Sequence, residues 1–105
     1  MGKIYVRVIA RNTLVDFWTA NPATAASLGY WLRLAKSASW ADPSGVLQDF
    51  SKAKVLNGQR VRFEVAGGDF RMIVAFDFAR QIAFIKFIGT HAQYDRIDAL
   101  TVAQF

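Results

Sequence analysis

One stretch of this 105-residue chain gathers most of the groups that could do chemistry: Phe87–Asp98, reading Phe-Ile-Gly-Thr-His-Ala-Gln-Tyr-Asp-Arg-Ile-Asp. The only histidine, His91, stands there with Tyr94, Asp95 and Arg96 within five residues. An imidazole titrates near neutral pH and can pass a proton in either direction. A neighbouring carboxylate can orient it, and a guanidinium can hold an anion. Such crowding directly after an apolar run is a common way to present a site, because the run forms a rigid element and the segment after it carries the reactive groups. Thirteen Lys and Arg against eight Asp and Glu give a net charge of +5. The expected visitor is therefore a phosphate and not a cation.

Cationic partners for that stretch lie upstream on segments of strand character. In Arg60–Val65 the side chains alternate, with Arg60, Arg62 and Glu64 on one face and Val61, Phe63 and Val65 on the other. Arg71 is the polar residue in the first half of Phe70–Phe78, and Lys86 is the sole charge within Gln81–Ile88. If these strands are neighbours, Arg60, Arg62, Arg71 and Lys86 can converge on one patch, with His91 and Tyr94 arriving from the segment that follows. The plainer reading is that each strand shows its charges to water, as half-exposed strands do. On that reading His91 braces a turn, Tyr94 packs, and Asp95 and Asp98 cap a final helical turn.

The elements that must position these groups can be read from periodicity. Ile4–Ala10 is β-branched and aromatic, as a strand would be. Asn12 and Thr13 offer capping chemistry, with Asp16 three residues after Thr13, for a short helix to about Ala20 with Leu14, Phe17 and Trp18 on one face. Asn21-Pro22 is a cap followed by proline, opening a helix to about Ala38 whose apolar stripe is Leu28, Trp31, Leu32 and Ala35. Asp42-Pro43 repeats that signal for a turn of helix through Phe50. From Lys52 the period becomes 2: strands at Lys52–Leu56, Arg60–Val65, Phe70–Phe78 and Gln81–Ile88, with turns at Asn57-Gly58 and Gly67-Gly68-Asp69. The tail after Asp98 fits either a helix or an extended end. Trp18, Trp31 and Trp40 read as core residues.

This order of elements predicts one α+β domain over residues 1–105: an N-terminal strand, two to three helices, then a twisted antiparallel sheet with the helices on one face. Hydrophobic residues make up 53% and charged ones 20%, which excludes a disordered chain. With no cysteine, disulfides and thiolate metal sites are excluded, and a single histidine argues against structural zinc. No metal or cofactor is expected. The first residues do not read as a secretion signal, since Arg7 and Arg11 interrupt the apolar stretch, and no run approaches the ~20 apolar residues of a membrane span. A cytoplasmic protein without membrane contact is expected.

Ile88-Gly89-Thr90-His91-Ala92-Gln93-Tyr94-Asp95-Arg96-Ile97-Asp98 resembles the Ile-Gly-Thr-His-Ala-Glu-Tyr-Asp-(Lys/Arg)-Ile-Asp signature of the HigB-type toxins, within the RelE/ParE-like superfamily of toxin–antitoxin modules. Arg60-Val61-Arg62-Phe63, a glycine-containing turn and Phe70-Arg71 resemble the family's Arg-Val-Val-Phe-Asn-Ile…Gly-Asn…Tyr-Arg region. Asn21-Pro22, Trp40 and Asp49-Phe50 also fall where that family has similar residues, so the likeness runs roughly from Ile9 to Asp98. It implies a RelE/ParE-like fold and a ribosome-dependent mRNA endoribonuclease, held inactive by a HigA-like antitoxin and meeting operator DNA only through the antitoxin complex. A non-nucleolytic toxin, like the gyrase-inhibiting branch, or a catalytically impaired binding module of the same fold is the alternative.

Metal-free RNA cleavage uses the 2′-OH as nucleophile and needs a base, an acid and cations for the developing charge. One histidine rules out a two-histidine mechanism. His91 is expected to move a proton, Arg71 and Lys86 to clamp the phosphate, and Tyr94 to stack on a base or assist proton transfer. Arg60, Arg62 and Arg96 would hold flanking phosphates, and Asp95 would orient His91. The chain departs from the family pattern at Gln93, Glu64 and Gly68. A carboxylate at Glu64 beside Arg62 would offset part of a phosphate site.

Overall fold

The computed structural model describes residues 2–105. Strand β1 (Arg7–Ile9) leads into helix α1 (Arg11–Ala20), a 3₁₀ turn (Pro22–Thr24), α2 (Ala25–Ser37) and α3 (Pro43–Asp49). Strands β2 (Lys54–Val55), β3 (Arg60–Val65), β4 (Phe70–Asp77) and β5 (Ile82–Thr90) follow, and a single helical turn, α4 (His91–Tyr94), closes the regular structure. The five strands form one sheet in the order β1-β5-β4-β3-β2. The last four make the expected antiparallel meander, whereas β1 lies parallel to β5, which makes the sheet mixed.

All three longer helices pack on one face, as the alternation of β3 requires. Leu14, Leu28, Trp31, Leu32, Ala35 and Val46 meet Val61, Phe63, Val65, Met72, Val74 and Ile85 in one buried cluster. Rings dominate its α3 end: Phe50 lies 5.2 Å from Phe63 and 6.1 Å from Trp40, and Trp40 lies 5.7 Å from Phe76, all edge to face. Trp31 and Trp40 are buried, and Trp18 is half-buried against the same core.

Several local expectations change. The strand expected at Ile4–Ala10 is three residues long, because it pairs only with Ile82–Phe84 and Val6 N–H turns to the Ala38 carbonyl. Helix α1 begins at Arg11 and has no side-chain cap. The chain passes from strand to helix at Ala10, whose carbonyl takes the Thr13 N–H, so Asn12 and Thr13 lie inside the first turn. Asn21 does not cap the second helix either. Its side-chain amide donates to the Phe17 carbonyl and closes α1, while its own carbonyl accepts from the Thr24 N–H and hydroxyl. Asp42 does cap α3, accepting from Gly45 N–H. The Ser44 hydroxyl, and then the Gly45 N–H, hold the Asp42 carboxyl below the usual carboxylate range.

The C-terminal tail adopts an extended course with one turn, in which Asp98 accepts from Leu100 N–H. Arg60 reaches it from β3: Nη1 donates to the Ala99 and Val102 carbonyls at 3.1 and 2.9 Å. Gln104 then lies against the stretch of β5 that β1 leaves uncovered. Its N–H donates to the Lys86 carbonyl at 2.8 Å, and its side-chain oxygen accepts from Ile88 N–H at 2.9 Å. The tail thus meets backbone groups that would otherwise form an unpaired sheet edge.

Gln81 ties three segments together. It is buried, with φ at 56° in the left-handed region, between β4 and β5. Its side-chain oxygen accepts from Trp40 N–H at 2.9 Å, its amide donates to the Trp40 and Phe78 carbonyls, and its own carbonyl accepts from Arg7 N–H. The hairpin, the α2–α3 connection and β1 therefore share one residue. Gln81→Ala leaves the Trp40 backbone groups buried without partners and should lower the urea-derived unfolding free energy by roughly 2–4 kcal/mol. A loss under about 0.5 kcal/mol would show that these bonds carry little net stability.

Candidate active site

The site is built by the end of β5. That strand runs two residues beyond the expected Ile88, through Thr90, and the chain turns there into α4. Thr90 Oγ1 accepts from Gln93 N–H at 3.1 Å, and Gln93 Oε1 accepts from Thr90 N–H at 2.8 Å, a reciprocal capping box. A Cβ on Gly89 would come within 2.6 Å of Gln93 Oε1 and 2.7 Å of Phe87 Cζ, so only glycine leaves room for that box. His91 N–H donates to the Asp69 carbonyl at 3.0 Å, which fastens the turn to the β3–β4 hairpin. Gly89, Thr90 and Gln93 are therefore scaffolding, and they set the positions of His91, Tyr94 and Asp95. Glutamine makes the same reciprocal bonds as glutamate would, so the departure at Gln93 leaves the cap intact.

The half-buried Tyr94 ring comes down on the sheet face opposite the longer helices. It lies 6.2 Å from the Phe87 ring, with Arg71 Cζ 5.0 Å and Arg62 Cζ 5.8 Å from its centroid. The pairing explains the two arginines: Arg62 stands opposite Ile73 and Glu64 opposite Arg71, so Arg62 and Arg71 are diagonal neighbours on one face. The Nε of each is buried and has no hydrogen-bond partner. Neither guanidinium is ion-paired with a carboxylate among the described residues. Glu64 is exposed and lies against Gly68, its carboxyl carbon 3.8 Å from where a Cβ there would stand. At the rim, His91 Nδ1 is 3.1 Å from Asp95 Oδ2, both side chains being about half exposed. A proton shared there leaves Nε2 as the imidazole's free nitrogen.

Three expected site residues are not brought to this cluster. Lys86 is the extra residue of a bulge, since Ile73 pairs with Phe87 and Val74 with Ile85, and its ammonium sits 5.6 Å over the Phe84 ring. Arg60 is the clearest departure, because Nη1 is engaged by the tail carbonyls. Exposed Arg96 lines an apolar cleft of about 340 Å³ with Ile97, Val102 and Gln104. The scaffold roles of Gly89, Gln104 and Gln81 were not foreseen. Thr90 three residues before Gln93 was the available signal for the cap; nothing local announces the other three contacts.

Residues 24–97 match the family model described as the HigB toxin, RelE-like toxic component of a toxin–antitoxin system. The chain belongs to the HigB toxin family. No curated protein gives a significant match. This HigB-family chain is thus the toxin of a toxin–antitoxin system, and family membership implies an antitoxin partner. The matched segment holds the whole cluster, from Arg62 through Asp95, together with α2 and α3. Among the described residues no helix is long and apolar enough to cross a membrane.

Gly89→Ala forces Phe87 and Gln93 aside and should cost about 1–3 kcal/mol of stability. Hydrogen exchange at the Gln93 amide should speed up more than exchange in β3. Equal changes at both places would mean that Gly89 does not position α4.

Proposed function

We propose that this toxin is an mRNA endoribonuclease acting on the ribosome in the cytoplasm, by metal-free attack of a 2′-OH, and neutralised by a HigA-like antitoxin. The observation that carries the reading is the pair of arginines under Tyr94, neither of them ion-paired with a carboxylate among the described residues. A phosphodiester at the outer guanidinium nitrogens supplies the missing negative charge.

Arg62 and Arg71 hold the non-bridging oxygens of the scissile phosphate and stabilise the charge that grows there. His91, its Nδ1 held by Asp95, takes the 2′-OH proton at Nε2. The 2′-oxygen then bonds to phosphorus, the bond to the 5′-oxygen breaks, and that oxygen receives a proton from the Tyr94 hydroxyl. The products are a 2′,3′-cyclic phosphate and a 5′-OH. Lys86 and Arg96 contact flanking phosphates of the RNA, while Arg60 has its main role in holding the tail. Operator DNA is met only through the antitoxin complex. Glu64, directly across from Arg71, favours the alternative of a non-nucleolytic toxin, and the test below separates the two.

Inducing the chain in cells and mapping mRNA 5′ ends should give new cuts within coding sequences. His91→Ala should reduce cutting about 10²–10⁴-fold, and Arg71→Ala about 10²–10³-fold, with thermal midpoints near that of the parent. Growth arrest with DNA-damage signalling and intact mRNA would establish the alternative.

A further inference from the structure

A second cationic feature lies at the far edge of the sheet. A cleft of about 270 Å³ opens between β1 and α2, lined by Val6, Arg7, Val8, Arg11, Leu32 and Lys36. Its floor is aliphatic, with Val6 and Leu32 buried, and its three cations are exposed. No acidic residue lines it, and none of the three cations is ion-paired among the described residues. Strand β1 is an outer strand of the sheet, so one side of its backbone has no strand beside it. Just before it, Ile4 and Tyr5 are 63% and 51% exposed, more than solubility alone would favour.

We propose that this cleft seats an acidic segment of the antitoxin that also carries aliphatic side chains, laid along the open edge of β1; the inference rests on the chain's role as a toxin. Charge complementarity identifies the occupant. Three unpaired cations around an apolar floor fit carboxylates flanking a buried aliphatic anchor. The open strand edge offers backbone donors and acceptors to an extended peptide. RNA fits less well, because the floor presents no ring on which a base could stack. The cleft lies on the helix side of the sheet, away from Tyr94, Arg62 and Arg71. Part of it, Val6 to Arg11, precedes the segment that matches the family.

The test uses the purified full-length toxin and the antitoxin encoded beside it, titrated calorimetrically at two salt concentrations. Arg11→Glu with Lys36→Glu should weaken binding on the order of ten- to a hundredfold at low salt, and less at high salt. Arg11→Gln with Lys36→Gln should fall between, and the thermal midpoint and growth arrest should match the parent for both pairs. Unchanged antitoxin affinity in the Glu pair overturns the proposal. Unchanged antitoxin affinity with weakened binding to ribosomes also overturns it and assigns the cleft to nucleic acid. A parent toxin that forms no complex at all overturns it together with the toxin–antitoxin reading, an outcome distinguishable because no variant is then needed.

Discussion

Two arginines on diagonal positions of one sheet face, both against the Tyr94 ring and neither ion-paired with a carboxylate among the described residues, are the constraint around which the rest of this structure is arranged. Arg62 and Arg71 carry like charges on diagonal positions of one sheet face, and each leaves a buried Nε–H without an acceptor, a burden of about 1–3 kcal/mol per group. The Tyr94 ring returns part of this through cation–π contacts, worth roughly 0.5–2 kcal/mol each. The remainder must come from the apolar core beneath β3 and β4, where Val61, Met72 and Val74 are fully buried. An anion at the outer guanidinium nitrogens would offset the two like charges, as in a preorganised phosphate site.

Everything that holds Tyr94 in place therefore bears on the proposed phosphate site. Gly89 makes the space, Thr90 and Gln93 close the cap, and the bond from His91 N–H to the Asp69 carbonyl fixes the turn against the neighbouring hairpin. The same turn sets His91 against Asp95 at the rim, so one short segment supplies both the proposed proton-transfer pair and the ring over the arginines. Further from the site, Gln81 and the C-terminal tail lock the two ends of β5, from which α4 projects. The β1–α2 cleft lies outside this system, so a change there can alter binding of a partner without disturbing the chemistry.

Much of this was legible in the sequence because it depended on local period and spacing. The alternation of Arg60–Val65 gave the face of each residue, the apolar stripe of α2 gave the core, and the crowding of His91, Tyr94 and Asp95 into one short segment marked where the reactive groups would gather. Other features depended on contacts between residues far apart in the chain. Arg60 looks identical to Arg62 in the alternation, yet a tail about 40 residues later engages one and not the other. A bulge between Ile73 and Val74 shifts Lys86 out of the simple period of two, which the strand's own sequence does not announce. Asn12, Thr13 and Asn21 carry strong capping chemistry, but the backbone of Ala10 and the end of α1 met those needs first. The parallel pairing of β1 with β5 had no local signal at all.

The central claim is that Arg62 and Arg71 together hold RNA phosphates. The most direct measurement is the salt dependence of binding of a short RNA blocked by 2′-O-methylation, compared between the parent toxin and an Arg62→Ala, Arg71→Ala variant. Losing two phosphate contacts should flatten the slope of log K against log salt by about 1.4, the single-strand value for two charges. Equal slopes and equal affinities in the two proteins would contradict the account, because the paired guanidinium groups would then hold no phosphate.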